Sequence, residues 1–275
     1  MDRRAFIKSC VIGTASAATA TSSGIILADM SDANPEQVRD YLSKIENFNH
    51  HFADDIILTG KKFELLKSVV ARLKRLQSYV GYANFSLLSV DSAFYYAKLV
   101  PRIGEFTAEE QNFLESLFYT NAKEYGFLGE KVSLKFTERI QNRDLIKIPR
   151  TGHFIYRGKS LKLYNQIKKM VGTNITLTSG VRCIVKQTLL FLDKAYESKG
   201  NLSMASRSLA PPGHSFHGIG DFDVGKKGYG YRNFTEDFAH TDEFKRLEEL
   251  GFIRIRYHER NPFGVRYEPW HIKVV

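Results

Sequence analysis

The chain has 275 residues, 43% of them hydrophobic and 25% charged, with 7 prolines and 20 glycines, usage that excludes disordered, collagen-like and membrane-bundle classes. Two cysteines, Cys10 and Cys183, are too few for a disulfide framework or for zinc sites built on several thiolates. Forty Lys and Arg against 30 Asp and Glu leave a net charge of +10, which raises nucleic acid as a partner class.

At the start, Asp2-Arg3-Arg4-Ala5-Phe6-Ile7-Lys8 precedes 20 uncharged residues, Ser9 to Ala28, many of them Ser, Thr, Ala or Gly. That stretch is too weakly apolar for a spanning helix and reads as a signal peptide, residues 1–28, with small residues near its end. The Arg-Arg-x-Phe-Ile-Lys spacing resembles the twin-arginine export signal, which implies a bacterial protein exported folded to the periplasm or cell envelope, with no transmembrane anchor after cleavage. Three basic residues and one acidic residue lie in this stretch, so the remainder carries +8.

Residues 29–149 read as a helical N-terminal region. Asn34-Pro35 offers an N-cap and a first-turn proline before Val38, Leu42, Ile45 and Phe48. Phe63, Leu66, Val69, Val70, Leu73 and Leu76 form a second apolar stripe, and Thr107 with Glu110 forms a capping box before Phe113, Leu114, Leu117 and Phe118. These stripes are packing faces, and the region carries no residue constellation that points to chemistry.

From 150 to 275 the pattern changes. A helix is expected over Ser160–Met170, a strand over Ile175–Thr178, a helix over Gln187–Ser198, and a further helix over Thr241–Leu250. Residues 206–240, with Pro211-Pro212-Gly213 and five glycines from Gly218 to Gly230, read as loop. Strands Phe252–Tyr257 and Val265–Val275 close the chain. Helices and strands outside regular βαβ alternation predict an α+β fold, a helical region followed by a small domain with a mainly antiparallel sheet flanked by helices.

Two of these C-terminal segments are dense in metal-binding residue types: His214 to Gly225, and Tyr267-Glu268-Pro269-Trp270-His271. A catalytic zinc needs three protein ligands from His and carboxylate, a fourth position for water, and a nearby carboxylate that takes a proton without binding the ion. His217, Asp223 and His271 supply the first set and Glu268 the base, with Asp221 the alternative carboxylate ligand.

The same residues resemble the VanY-type D-alanyl-D-alanine carboxypeptidase family of zinc peptidases, which act on peptidoglycan. The family pattern of Ser-x-His, then Gly and Asp, reads here as Ser215-Phe216-His217, Gly220 and Asp223. Glu-x-Trp-His reads as Glu268-Pro269-Trp270-His271. The upstream Ser-Gly-Tyr-Arg followed by Gln reads as Ser179-Gly180-Val181-Arg182 and Gln187. Five residues separate His217 from Asp223 where the family has six, and Val181 replaces its tyrosine. Asp223 is preferred to Asp221 because Val224 follows it as an apolar strand residue does in the family.

The resemblance implies a VanY-like zinc peptidase domain over 150–275 with one Zn2+ per chain, held by His217, Asp223 and His271. It further implies Glu268 as general base and Arg182, Gln187 and Ser215 as substrate-binding residues. The implied activity is hydrolysis of peptidoglycan stem peptides, removing a terminal D-alanine. The same signatures also fit a D-Ala-D-Ala dipeptidase, an L-alanyl-D-glutamate endopeptidase, or a non-catalytic zinc- or wall-binding module. Nucleic acid then gives way to anionic cell-envelope polymers as the expected partner of the positive charge.

Overall fold

The computed structural model describes residues 35–251 and 253–275; the export signal expected over residues 1–28 lies outside them. The longer N-terminal helices are α1 (Pro35–Glu46), α2 (Gly60–Val80), α3 (Val90–Leu99) and α4 (Ala108–Tyr119), with a single helical turn at Tyr82–Phe85 between α2 and α3. Each begins or packs for a reason visible in its residues. The stripe Leu66, Val69, Val70, Leu73 and Leu76 of α2 recurs at helical spacing and is buried along its whole length. Ser89 caps α3 by accepting from the Ser92 amide, and Thr107 and Glu110 form the expected reciprocal capping box on α4. Glu110 is itself buried and pairs with Arg72 of α2 at 3.1 Å, which satisfies a carboxylate that would otherwise be costly inside.

Helices α5 (Lys159–Val171), α6 (Ile184–Glu197), α7 (Leu202–Ser208) and α8 (Asp242–Glu249) follow. Residues 39–275 pack as one unit; of residues 1–38 only the start of α1 is described. Within that unit the larger core joins the α2–α4 side chains to Cys183 and to Ile184, Val185, Leu189, Phe191 and Leu192 of α6, together with Tyr257 and Val265. The helical region and the C-terminal segments thus share one core across residue 149. Among the described residues no helix is long and apolar enough to cross a membrane.

The sheet that matters is short. Strands β1 (Leu145–Lys147) and β2 (Phe154–Tyr156) form an antiparallel pair, while β3 (Ile175–Ser179), β4 (Phe222–Lys226) and β5 (His271–Ile272) form a separate antiparallel sheet in that order. Side chains alternate between its faces. Leu177, Phe222, Val224 and Ile272 enter a second core with Ile155, Ile167, Phe238, Phe244 and Trp270. Asp223 and His271, which are direct cross-strand partners, stand together. The sheet breaks register between Leu177 and Ser179, and Ser179 pairs with Asp223, so the chain leaves β3 toward Arg182 beside that pair.

The fold is α+β with small antiparallel sheets, as read from the sequence, but two local expectations are corrected. Residues 206–240 are not continuous loop: they hold the end of α7, the central strand β4 and several 3-10 turns. The five-residue strand is short enough to be masked by the glycines around it. The two closing strands also shrink. Only His271–Ile272 is strand, and Ile255 touches Ile272 as an isolated bridge; Phe252 lies outside the described residues. Pro262 and Pro269 lack the amide a ladder needs, and the His271 amide turns back to the Glu268 carbonyl at 3.1 Å.

Candidate metal centre

Three ligand-type atoms, one each from His217, Asp223 and His271, lie within 4.8 Å of one another, and all three residues are buried. His217 enters from a 3-10 turn, Phe216–Gly218, that follows Ser215; Asp223 comes from the middle of β4, and His271 from β5. Each ring is oriented from behind. His217 Nδ1 lies 2.8 Å from the Gly180 carbonyl, and since a carbonyl only accepts, Nδ1 carries the proton and Nε2 is a bare lone pair. His271 Nε2 lies 3.1 Å from Asp221 Oδ2, an acceptor, so in the neutral ring the lone pair is on Nδ1.

Those lone pairs converge. His217 Nε2 and Asp223 Oδ1 stand 3.2 Å apart, and His271 Nδ1 is 3.5 Å from the same oxygen. Both His217 Nε2 and Asp223 Oδ1 are buried without a hydrogen-bond partner. Two buried acceptors facing each other repel unless a cation lies between them, so the arrangement fits a metal ion. The other Asp223 oxygen receives Arg182 Nη2 at 2.5 Å, and Arg182 Nε donates to Ser179 Oγ at 2.9 Å.

Charge follows the same logic. Burial and the neighbouring Arg182 charge pull His217 down to about 4, which keeps its ring neutral at physiological pH. For Asp223 burial opposes ionisation, but the charges of Arg182 and His271 beside it hold the carboxyl far below its usual range. Burial disfavours charge on His271 too, yet hydrogen bonds to Asp221 and Glu268, with the Asp223 and Asp221 charges, lift it to about 9.

Glu268 is buried at the rim of the group, with Oε2 3.4 Å from His271 Nδ1. Asp221 stands behind His271. It is paired with Arg256, accepts the Val274 amide at 2.8 Å, and is depressed to about 2 because the His271 and Arg256 contacts outweigh its burial. Arg256 also lies over the Phe216 ring at 3.5 Å, next to His217 in sequence.

The structure thus brings together His217, Asp223, His271, Glu268 and Arg182. It places Gln187 and Ser215 differently. Gln187 is 2% exposed and its amide donates to the Ala210 carbonyl at 2.5 Å, tying α6 to the loop ahead of His217, while its Oε1 has no partner. Ser215 is buried and opens the turn that carries His217. Two neighbours escape a sequence reading. Tyr257 sets its ring edge-on to His271 with centroids 4.9 Å apart, and its hydroxyl is buried without a partner. His153 is lowered by burial and then by the charge of Arg182. Nothing in the local sequence of Tyr257 signals its approach to His271.

Residues 157–275 match the family model VanY, described as D-alanyl-D-alanine carboxypeptidase. No curated protein matches the chain. Among solved structures, the LdcB LD-carboxypeptidase is 22% identical, the match covering 50% of this chain and 70% of that one at a TM-score of 0.41. The vancomycin resistance D,D-pentapeptidase VanY, in complex with Zn(II), is 22% identical over 55% of this chain and 87% of its own, at 0.41. VanYB in complex with D-alanine-D-alanine is 21% identical over 55% and 86%, at 0.39. The matched segment, 157–275, contains the three converging ligand residues, Glu268 and Arg182, so the site lies wholly within the part of the chain that is similar to the VanY family.

Proposed function

We propose that the chain is an exported, zinc-dependent peptidase of the bacterial cell wall that removes the terminal D-alanine from peptidoglycan stem peptides. The observation that carries this reading is the pair of orphaned buried acceptors, His217 Nε2 and Asp223 Oδ1, converging with His271 beside a carboxylate. Two imidazoles and a carboxylate are a donor set that suits zinc and leaves room for water and substrate. The VanY match over 157–275 supports the peptide substrate class.

In this reading His217, Asp223 and His271 hold one Zn2+, which when bound supplies Lewis acidity toward a carbonyl oxygen and toward water. Asp221 and the Gly180 carbonyl fix the two ring tautomers, so the site is set before substrate arrives. Glu268 accepts the proton of the attacking water on a carboxylate oxygen and delivers it to the departing nitrogen, so that the amino acid leaves as an amine and not as an amide anion. Arg182, anchored by Ser179 and Asp223, presents its guanidinium to the carbonyl or carboxylate of the substrate. Gln187 holds the 210 loop ahead of His217, and Ser215 opens the turn that carries His217. The basic remainder of the chain is attracted to anionic envelope polymers.

The test is mass analysis of muropeptides incubated with the purified protein, with and without a chelator. Loss of one alanine, abolished by the chelator, is the expected result. Loss of two alanines indicates the dipeptidase reading, an internal cut the endopeptidase reading, and no cleavage a binding module.

A further inference from the structure

A groove of about 500 Å3 opens between the start of α5 and the C-terminal segment. Lys159, Lys162, Arg254 and Lys273 line it, together with Leu163, Gln166 and Val274 and no acidic residue. Among the described residues none of these four cations has a salt-bridge partner, although many other exposed basic side chains here do, Lys61, Lys67 and Arg139 among them. The four are held close by backbone. Lys159 and Lys162 are neighbours at i and i+3 on α5, and the Lys273 amide donates to the Arg254 carbonyl at 2.8 Å, which sets those two residues side by side on adjoining segments. Like charges at i, i+3 and across paired segments repel, so both placements cost stability unless an anion offsets them.

We propose that this groove is a binding site for a linear phosphate-bearing polymer, of the polyol phosphate kind rather than a nucleic acid. Four uncompensated cations converging on one groove match a ligand with repeated negative charge, because each phosphate contact releases a counterion. The lining holds no aromatic ring, whereas sites for single-stranded nucleic acid rely on aromatic platforms for base stacking. The groove is also distinct from the metal centre. Its Val274 amide donates to Asp221 Oδ1, and the other Asp221 oxygen faces His271, so Asp221 stands between the groove wall and the ligand triad. This deepens the wall-polymer partner proposed above, and its test does not read hydrolysis, so either can fail alone.

The experiment titrates the full chain with labelled poly(glycerol phosphate) over a series of salt concentrations. The variant Lys159→Ala/Lys162→Ala/Arg254→Ala/Lys273→Ala is expected to lose at least about tenfold in affinity, with the slope of log affinity against log salt falling by about one per cation removed. A control, Lys62→Ala/Lys98→Ala/Lys123→Ala/Lys135→Ala, removes the same charge from exposed positions elsewhere and is expected to change affinity by less than about twofold, since only charges near the bound polymer release its counterions. Should the quadruple groove variant fail to fold, Lys162→Glu on its exposed helix face is expected to weaken binding in the same direction. Equal losses in groove and control variants, no binding by the wild type at low salt, or tighter binding of a single-stranded oligonucleotide would each overturn the assignment.

Discussion

Asp221 stands behind His271, with its Oδ2 3.1 Å from His271 Nε2, while Asp223 faces the other nitrogen of the same ring at 3.5 Å. Two carboxylates only two residues apart therefore have different tasks: Asp223 offers a free oxygen to the centre, and Asp221 fixes which ring nitrogen points there. Asp223→Ala is expected to abolish stoichiometric zinc binding. Asp221→Asn, which keeps shape but loses charge, is expected to weaken zinc affinity by about 10–100-fold. Chelator competition on the purified variants measures both. Loss of zinc in Asp221→Ala with retention in Asp223→Ala would reverse the assignment.

Gly180 is small for a definite reason. A Cβ built there would lie 1.9 Å from the Phe154 carbonyl oxygen, a backbone atom that cannot step aside. The same Phe154 carbonyl accepts the Val181 amide at 2.8 Å, and the Gly180 carbonyl orients His217. Gly180→Ala is expected to destabilise the fold by about 1–3 kcal/mol through overpacking and to weaken zinc binding, because the displaced backbone is the one that sets the His217 tautomer. Urea unfolding and zinc titration check the two effects separately. A variant with wild-type values in both contradicts the close packing of β2 on this turn.

Away from the site, Asp55 and Arg207 form a two-pronged pair at 2.7 and 3.1 Å whose side chains are 1% and 6% exposed. Asn201 and the Phe52 amide complete the carboxylate's partners. Removing one member strands the other, so Arg207→Met is expected to cost about 3–5 kcal/mol. The pH dependence has a defined sign. Burial alone would raise the Asp55 carboxyl, but the bonds from Arg207, Asn201 and the Phe52 amide lower it below the usual range. A lowered carboxyl contributes stability that is present above its unfolded value, about 3.9, and is lost as pH falls through the folded one. Unfolding midpoints are expected to drop below about pH 4, and to drop less steeply in Arg207→Met.

Much of this architecture is legible in the residues because it rests on local physics. Helix α4 begins at its expected cap, and α5 and α8 begin and end close to their expected bounds, since Thr107, Gly172 and Thr241 cap them with their own side chains or backbone. The metal-type residues are legible as residue types, because histidines and carboxylates crowded into two short segments need a reason. What holds them is not legible. Arg256 reaches Asp221 across 35 positions, His217 reaches Gly180 across 37, and no periodicity announces either contact. Strand β4 is hidden for a related reason: its pairing with β3 and β5 decides its state, while its own five residues contain Gly225. Trp270, adjacent to His271, turns into the second core against Phe234, a contact its own segment does not announce.

The assignment of His217, Asp223 and His271 as zinc ligands, with Glu268 as the proton carrier, is tested most directly by one paired measurement on Glu268→Gln: zinc per chain and the rate of D-alanine release from a stem pentapeptide, in the same sample. Glu268 is placed beside the ligand triad without belonging to it, so the variant is expected to keep about one zinc per chain. Its rate is expected to fall by at least about 10²–10⁴-fold, the contribution of a positioned general base. Wild-type hydrolysis by Glu268→Gln, or loss of the zinc together with the activity, would contradict the account.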